Sequence, residues 1–287
     1  MMDVMRINVA YWADEQFTRH TYVSIFSILK NMKKGNILCC YFLTKTPNKN
    51  ISLIENLEKK FKNFELNIIP LNNIMPEIRV NKDLSHINSA TYYRFWIDKI
   101  EGVEKIIYLD SDIVINSDIS ELFHENLGNK IVWVCSDMPK DYIKSNIDEI
   151  WLKRKKYFNA WVLLVNLKKW KEKWVSKRCL NLLSKKIYKF NDQDGLNIVL
   201  QDDCKRLSGK YNVQSWYFPW YLWDFIYLWF EKSYYEDAIY HPKIIHFTWD
   251  KKPRQLFCYH PFSYKYYCLF FCVSPFVFAS GNILCWI

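Results

Sequence analysis

The sequence predicts an α/β fold carried by a parallel sheet, and three observations predict it. Short β-branched or apolar runs alternate with amphipathic stretches from residue 6 to about 135, the rhythm of strand–helix–strand units. One apolar run ends in a pair of aspartates, where a sheet of this kind delivers a ligand-binding loop. The 287 residues, 50% hydrophobic and 24% charged, suffice for one large core and exclude disorder, collagen and coiled coil as descriptions of the whole.

In chain order, RINVAY (6–11), ILCCYFL (37–43), ELNII (65–69), KIIYL (105–109) and KIVWVC (130–135) read as strands, being short and rich in β-branched and aromatic residues. Between the first two, Val23, Phe26, Ser27 and Lys30, with Ile25 and Leu29, keep helical spacing. Ile51, Ile54, Leu57, Glu58 and Phe61 do the same before the third. Thr18 and Asn50 are placed to cap those helices. Residues 136–156 are polar and basic, which predicts a surface excursion. WVLLVNL (161–167) predicts another strand, followed by helices over about 168–186 and 192–201. From Trp216 to Tyr235, 12 of 20 positions are aromatic, which serves core and groove packing or a sugar or membrane-interface surface. No charge follows Lys265, leaving 22 uncharged residues, long enough to cross a bilayer. Pro275, Ser280, Gly281 and Asn282 make this a poor spanning helix; peripheral insertion, docking on the domain and a disordered terminus stay open.

Forty Lys and Arg against 30 Asp and Glu give a net charge of +10, suited to nucleotides, phosphorylated glycans, nucleic acid or anionic lipid. Nucleic acid is disfavoured as a partner, because the lysines are spread among helices and loops rather than gathered in a stripe. Nine cysteines lie scattered without a CxxC pair, and Asp3 precedes any apolar run. These features predict no disulfide framework, no secretory signal and a reducing, cytoplasmic setting. Only 6 glycines occur, where an average share would give about 20.

The most informative stretch is KIIYLDSDIVI (105–115), an apolar strand that ends in Asp110, Ser111 and Asp112. Carboxylates two residues apart in extended chain project from one side. Hard oxygen ligands at that exit suit Mg²⁺ or Mn²⁺ shared with a diphosphate. A bare pair of this kind is common on surfaces; the apolar runs on both sides turn this one toward a site.

YLDSDIVI (108–115), YFNAWVLLVNLKKW (157–170), NDQDGLN (191–197) and IIHFTWDKKPR (244–254) resemble, in order and spacing, the four sequence blocks of glycosyltransferase family 8, especially its bacterial lipopolysaccharide galactosyl- and glucosyltransferases. The resemblance covers about residues 6–262. It implies a GT-A-type nucleotide-diphospho-sugar transferase fold with a mixed, mainly parallel central sheet, a catalytic domain over residues 1–262 and a hydrophobic tail over 263–287. It also implies metal-dependent, retaining transfer of galactose or glucose from a UDP-sugar to a saccharide acceptor, here the core of lipopolysaccharide or lipooligosaccharide. A lipid-linked acceptor, the net charge and the aromatic tail together suggest a cytoplasmic protein held peripherally on the inner membrane.

Residue by residue, the resemblance places Mn²⁺ (or Mg²⁺) on Asp110, Asp112 and His246. An imidazole is acceptable to Mn²⁺, although a single His on an apolar run is more often a core residue. NVAYWADEQF (8–17) is similar to the family's opening block, with Ala10, Tyr11, Asp14 and Gln16 at uracil and ribose positions; Gln16 replaces the family's usual Asn. Arg94 in ATYYRF would lie near the diphosphate and sugar, as a bidentate donor, or be a surface helix residue. Lys252 would neutralise the leaving diphosphate, and Ser111 accompanies the aspartates. Asn159, Asp192 and Gln193 would line the donor hexose, with Asp192 and Gln193 closest to the chemistry. Double displacement and same-face attack both stay open, and Asn191 or Asp192 also suits capping of the following helix.

Trp12, Trp161 and Trp249 stand where the family usually has glycine, and Arg254 stands where it usually has Trp. An indole forbids the close backbone approach that glycine permits. Two outcomes follow: a remodelled pocket that still turns over, or a catalytically impaired or non-catalytic sugar-nucleotide-binding relative on the same fold.

Overall fold

The computed structural model describes residues 4–45, 48–71, 89–137, 146–152, 157–218, 232–248, 252–253, 258 and 260–273. The first half alternates strand and helix as its sequence rhythm requires. Strands β1 (Arg6–Trp12), β2 (Ile37–Thr44), β3 (Phe64–Pro70) and β4 (Lys105–Leu109) are joined by α1 (Thr18–Asn31), α2 (Ile51–Lys60) and a 3-10 segment (Ser89–Lys99). They pair parallel, β1 with both β2 and β4, and β2 with β3. The interior of β1 is buried on both faces, Ile7, Val9, Ala10 and Tyr11 exposing nothing, as a strand covered by helices on both sides should be.

Beyond β4 the direction changes. Strands β5 (Ile113–Ile115), β6 (Val132–Ser136), β7 (Phe158–Asn166) and β8 (Cys204–Arg206) follow, with the short helix α3 (Ser120–His124) between β5 and β6, then β9 (Val213–Gln214) and β10 (Ile244–His246). The main sheet has the order β3-β2-β1-β4-β7-β6-β8, with β7 antiparallel to β4 and β6. A small sheet, β5-β10-β9, sits beside it. The register between β6 and β7 jumps after Val134, from Leu163 to Asn159. This irregularity frees residues 160–162 from β6 and re-aims the start of β7, as bulges beside sites do.

The helix over about 168–186 is two helices, α4 (Leu167–Glu172) and α5 (Val175–Leu183), parted at Trp174 with φ 52°. Helix α6 (Asn191–Leu200) then packs on α5. Gly195 makes that approach possible, since a Cβ there would lie 2.9 Å from the Leu183 side chain. The excursion over 136–156 is not all surface: Asp137, Asn146, Ile147, Ile150 and Leu152 are buried within it; residues 138–145 and 153–156 lie outside the described residues. Trp216, Tyr217 and Phe218 are core residues, while 219–231 lie outside the described residues.

The caps also differ from expectation. Thr18 is the first residue of α1 rather than its cap; Asp14 holds that start, its Oδ1 accepting from Phe17 N–H at 2.9 Å. Asn50 sits at the cap position of α2 without capping through its side chain, which instead donates to Glu15 O. Helix α7 (Lys232–Tyr240) precedes β10, and α8 (Ser263–Val273) begins the apolar C-terminal stretch. Helix α8 docks on α1, with Tyr266 buried against Phe247 and its hydroxyl bonded to His20. Residues 274–287 lie outside the described residues, and no described helix is long and apolar enough to cross a membrane.

Candidate active site

The site is built where β1 and β4 end. Asp110 follows Leu109 directly, its N–H donating to Trp161 O at 3.1 Å across to β7. Residues 111 and 112 form a turn rather than continuing the strand, so strand alternation no longer governs them and the two carboxylates take different partners. Ser111 anchors the turn: its Oγ accepts from Thr21 Oγ1 at 2.8 Å and donates to Trp12 O at 3.3 Å.

Asp110 faces Arg94. The 3-10 segment stacks residues three apart, pairing Tyr92 with Phe95 and Tyr93 with Trp96, and so turns Arg94 inward rather than to the surface. Its guanidinium, 3% exposed as a residue, donates to Ala160 O at 2.6 Å and Asp110 Oδ1 at 3.3 Å and lies over the Tyr108 ring. Arg94 Nε is 2.9 Å from Asp192 Oδ2 but directs its hydrogen to Thr91 O. Burial pushes Asp192 up to about 6, against the pull of Arg94. Burial raises Asp110 too, with Asp112 adding to it and Arg94 opposing.

Asp112 faces the small sheet. Antiparallel pairing of β5 with β10 sets His246 opposite Ile113, and His246 Nε2 lies 3.3 Å from Asp112 Oδ1. The Lys252 ammonium pairs with the other oxygen. Burial alone would raise Asp112; Lys252 and His246 outweigh it and hold the carboxyl well below the usual range.

Asn159, Gln193 and His246 expose 3% or less and belong to one buried polar network. Gln193 Oε1 accepts from Ala160 N–H at 3.0 Å, and its Nε2 donates to Asp137 Oδ2 at 2.6 Å and Tyr157 OH at 3.3 Å. Asn159 Nδ2 donates to Asp137 Oδ1 at 3.2 Å and Gln214 Oε1 at 3.3 Å. Asn212 bridges Asn159 to His246. Asp194, rather than Asn191 or Asp192, secures the start of α6, its Oδ2 accepting from Phe190 N–H at 2.8 Å.

The nucleotide positions divide. Ala10 and Tyr11 expose no surface, and Tyr11 shares a hydrogen bond with Ser24; their side chains face the core, because they lie inside a strand covered on both faces. Asp14 accepts from Phe17 N–H just ahead of α1, and Gln16 is exposed on the same loop. Trp12 stacks on Tyr93 with ring centroids 4.7 Å apart, and Trp161 stands edge-on to His246 at 5.0 Å. Trp249 and Arg254 lie outside the described residues. Asp137, Asn212 and Gln214 were not expected from the sequence; the signal was two amides flanking Val213 in a short buried strand.

Among the described residues, no three His, Cys, Asp or Glu side chains are gathered to hold a metal ion. Asp112 and His246 come together, while Asp110 is drawn to Arg94. The donor chemistry nonetheless suits a hard divalent cation, with a carboxylate and an imidazole facing each other at 3.3 Å.

A strand-end aspartate turn beside a buried arginine, on a sheet parallel in its first half, places charged side chains where α/β proteins bind their ligands. Residues 8–254 match the model of Glycosyl transferase family 8, and the chain belongs to that family, with its GT-A fold. It is similar to a putative glycosyltransferase of Haemophilus influenzae (32% identity, 72% of this chain, 63% of that protein). It is also similar to general stress protein A of Bacillus subtilis (26%, 91% and 92%) and to a lipopolysaccharide 1,2-glucosyltransferase of Escherichia coli K12 (28%, 72% and 62%). The chain thus spans less than two thirds of the Haemophilus and Escherichia relatives. Among solved structures, the galactosyltransferase LgtC with donor and acceptor sugar analogs superposes with a TM-score of 0.74 at 20% identity, over 92% of this chain and 95% of that one, a likeness of fold.

Proposed function

We propose that this family 8 glycosyltransferase moves a hexose, galactose or glucose, from a UDP-sugar to a saccharide acceptor with retention of configuration. The observation that carries the proposal is the pairing of Asp112 with His246 beside the Arg94–Asp110–Asp192 cluster, all at the carboxyl ends of β1 and β4. Asp112 and His246, with Asp110 as third ligand, would hold Mn²⁺ or Mg²⁺, which when bound neutralises a diphosphate leaving group. Lys252 adds a second positive charge beside Asp112, and Arg94 holds Asp110 and Asp192 in place. Asn159 and Gln193 form a fixed, buried amide network that would brace the hexose site from behind. Both ends of the Gln193 carboxamide are engaged, which supports positioning of the sugar as its role. The names of the Escherichia relatives support a lipopolysaccharide-core acceptor, and the +10 charge supports a cytoplasmic, peripheral location at the inner membrane.

Trp161 against His246 and Trp12 stacked on Tyr93 favour one second reading, a relative that binds sugar nucleotide without turnover, because both indoles fill space beside the aspartate turn. A screen of UDP-glucose and UDP-galactose, each with and without Mn²⁺, reading released UDP, separates the two. Mn²⁺-dependent release supports transfer. No release from the wild type, with release restored by Trp161→Gly or Trp249→Gly, supports the second reading.

A further inference from the structure

The buried amide network has only one consistent orientation, because donors that cannot be reversed fix it at several points. Trp161 N–H donates to Asn159 Oδ1 at 3.1 Å, so the Asn159 oxygen faces that way and its Nδ2 faces the Asp137 carboxylate. Trp216 Nε1–H donates to Gln214 Oε1 at 3.0 Å, which makes that oxygen the acceptor for Asn159 Nδ2 as well. Asn159 Oδ1, an acceptor, then receives Asn212 Nδ2 at 2.8 Å. The Asn212 oxygen is left facing His246 Nδ1 at 2.9 Å and, being an acceptor, requires a hydrogen on Nδ1. The remaining ring nitrogen, Nε2, is the one 3.3 Å from Asp112.

We infer that Asn212 is a positioning residue that fixes His246 as the Nδ1–H tautomer and so aims the Nε2 lone pair at the cation shared with Asp112. The inference deepens the metal site proposed above and rests on it. Ligating imidazoles are commonly held through their other N–H, and removing such a partner costs roughly ten- to hundred-fold in metal affinity. Here the partner is an amide, not a carboxylate. The same amide reaches Asn159, one bond from Asp137 and two from Gln193, so the imidazole and the amides proposed to brace the hexose site share one frame. Asn212 and His246 expose 1% or less, so no water competes for Nδ1.

The test uses the full chain, labelled with ¹⁵N-histidine, and a volume-matched Asn212→Leu variant. In wild type saturated with diamagnetic Mg²⁺, one histidine assigned by its absence in His246→Ala is expected as the Nδ1–H tautomer; an Nε2–H signal in that state would overturn the inference without any variant. Asn212→Asp, which keeps the acceptor, should retain that tautomer, and its loss there would count against the inference. Mn²⁺ titration followed by electron paramagnetic resonance should show Asn212→Leu binding at least ten-fold more weakly than wild type, with no further loss when added to His246→Ala. Equal Mn²⁺ affinity in wild type and a folded Asn212→Leu would overturn the positioning role while leaving the metal site standing. A wild type that binds no Mn²⁺ would overturn the metal site, and the inference with it.

Discussion

Replacing Arg94 by Met removes the buried guanidinium 2.9 Å from Asp192 while keeping much of its volume, and the cost of the change should depend on pH in a way set by that carboxyl. Asp192 titrates at about 6 in the folded protein, raised from 3.8 by burial even with Arg94 beside it. Its folded value is the higher one, so its protonation favours the folded state at low pH, and this contribution fades as pH rises through 6. Without Arg94 the carboxyl rises further and stays protonated at neutral pH. Below pH 6 both proteins hold it neutral, and the variant loses mainly the guanidinium bonds to Ala160 O and Thr91 O, about 1 kcal/mol each. Above pH 6 the cost grows by about 1.4 kcal/mol per pH unit for each carboxyl that stays protonated. From Asp192 alone, ΔΔG should climb from about 2 kcal/mol at pH 6 to about 5 at pH 8, near the cost of breaking a buried ion pair. Urea unfolding of both proteins at pH 5, 6, 7 and 8 measures it. A difference that stays flat across this window would refute the assignment of Arg94 as counter-charge to a buried carboxylate.

Gly195→Ala should destabilise by about 1–3 kcal/mol through overpacking, because Leu183, 2% exposed and 2.9 Å from the new Cβ, has no room to swing aside; thermal melts should show recovery when Leu183→Ala is added. Tyr157→Phe removes the 2.6 Å bond to buried Asp194 and should cost about 1–3 kcal/mol in chemical denaturation, with less loss in an Asp194→Asn background. Trp161→Gly removes a ring standing 5.0 Å from His246; it should lower stability by about 2–4 kcal/mol and tighten UDP-sugar binding in calorimetry if the indole narrows the site, whereas unchanged binding would show that it does not.

The elements that rest on local pattern were legible in the sequence. The strands of the first half, the two helices between them, the carboxylates that follow the KIIYL strand and the four ordered blocks were all readable, because apolar periodicity and motif spacing are properties of short stretches. Where the prediction missed, another partner outweighed the expected one. Thr18 looked like a cap, but Asp14 reaches the helix start first. Tyr11 looked like a nucleotide contact, yet a strand covered on both faces leaves its ring no solvent. Asp110 and Asp112 looked like a side-by-side pair, but the chain turns between them and each follows its own cation.

By itself, then, the sequence determined which residues could do chemistry: carboxylates after an apolar strand, an imidazole within another, and amides in NDQDGLN and YFNAW. Only the tertiary structure decided which of them meet. His246 reaches Asp112 because β10 pairs with β5, and Asn159 reaches Asn212 because the register of β7 slips beside β6. Pairings between strands far apart in the chain are chosen by the whole core at once, and a buried polar group must take whatever partner that core brings within hydrogen-bond reach.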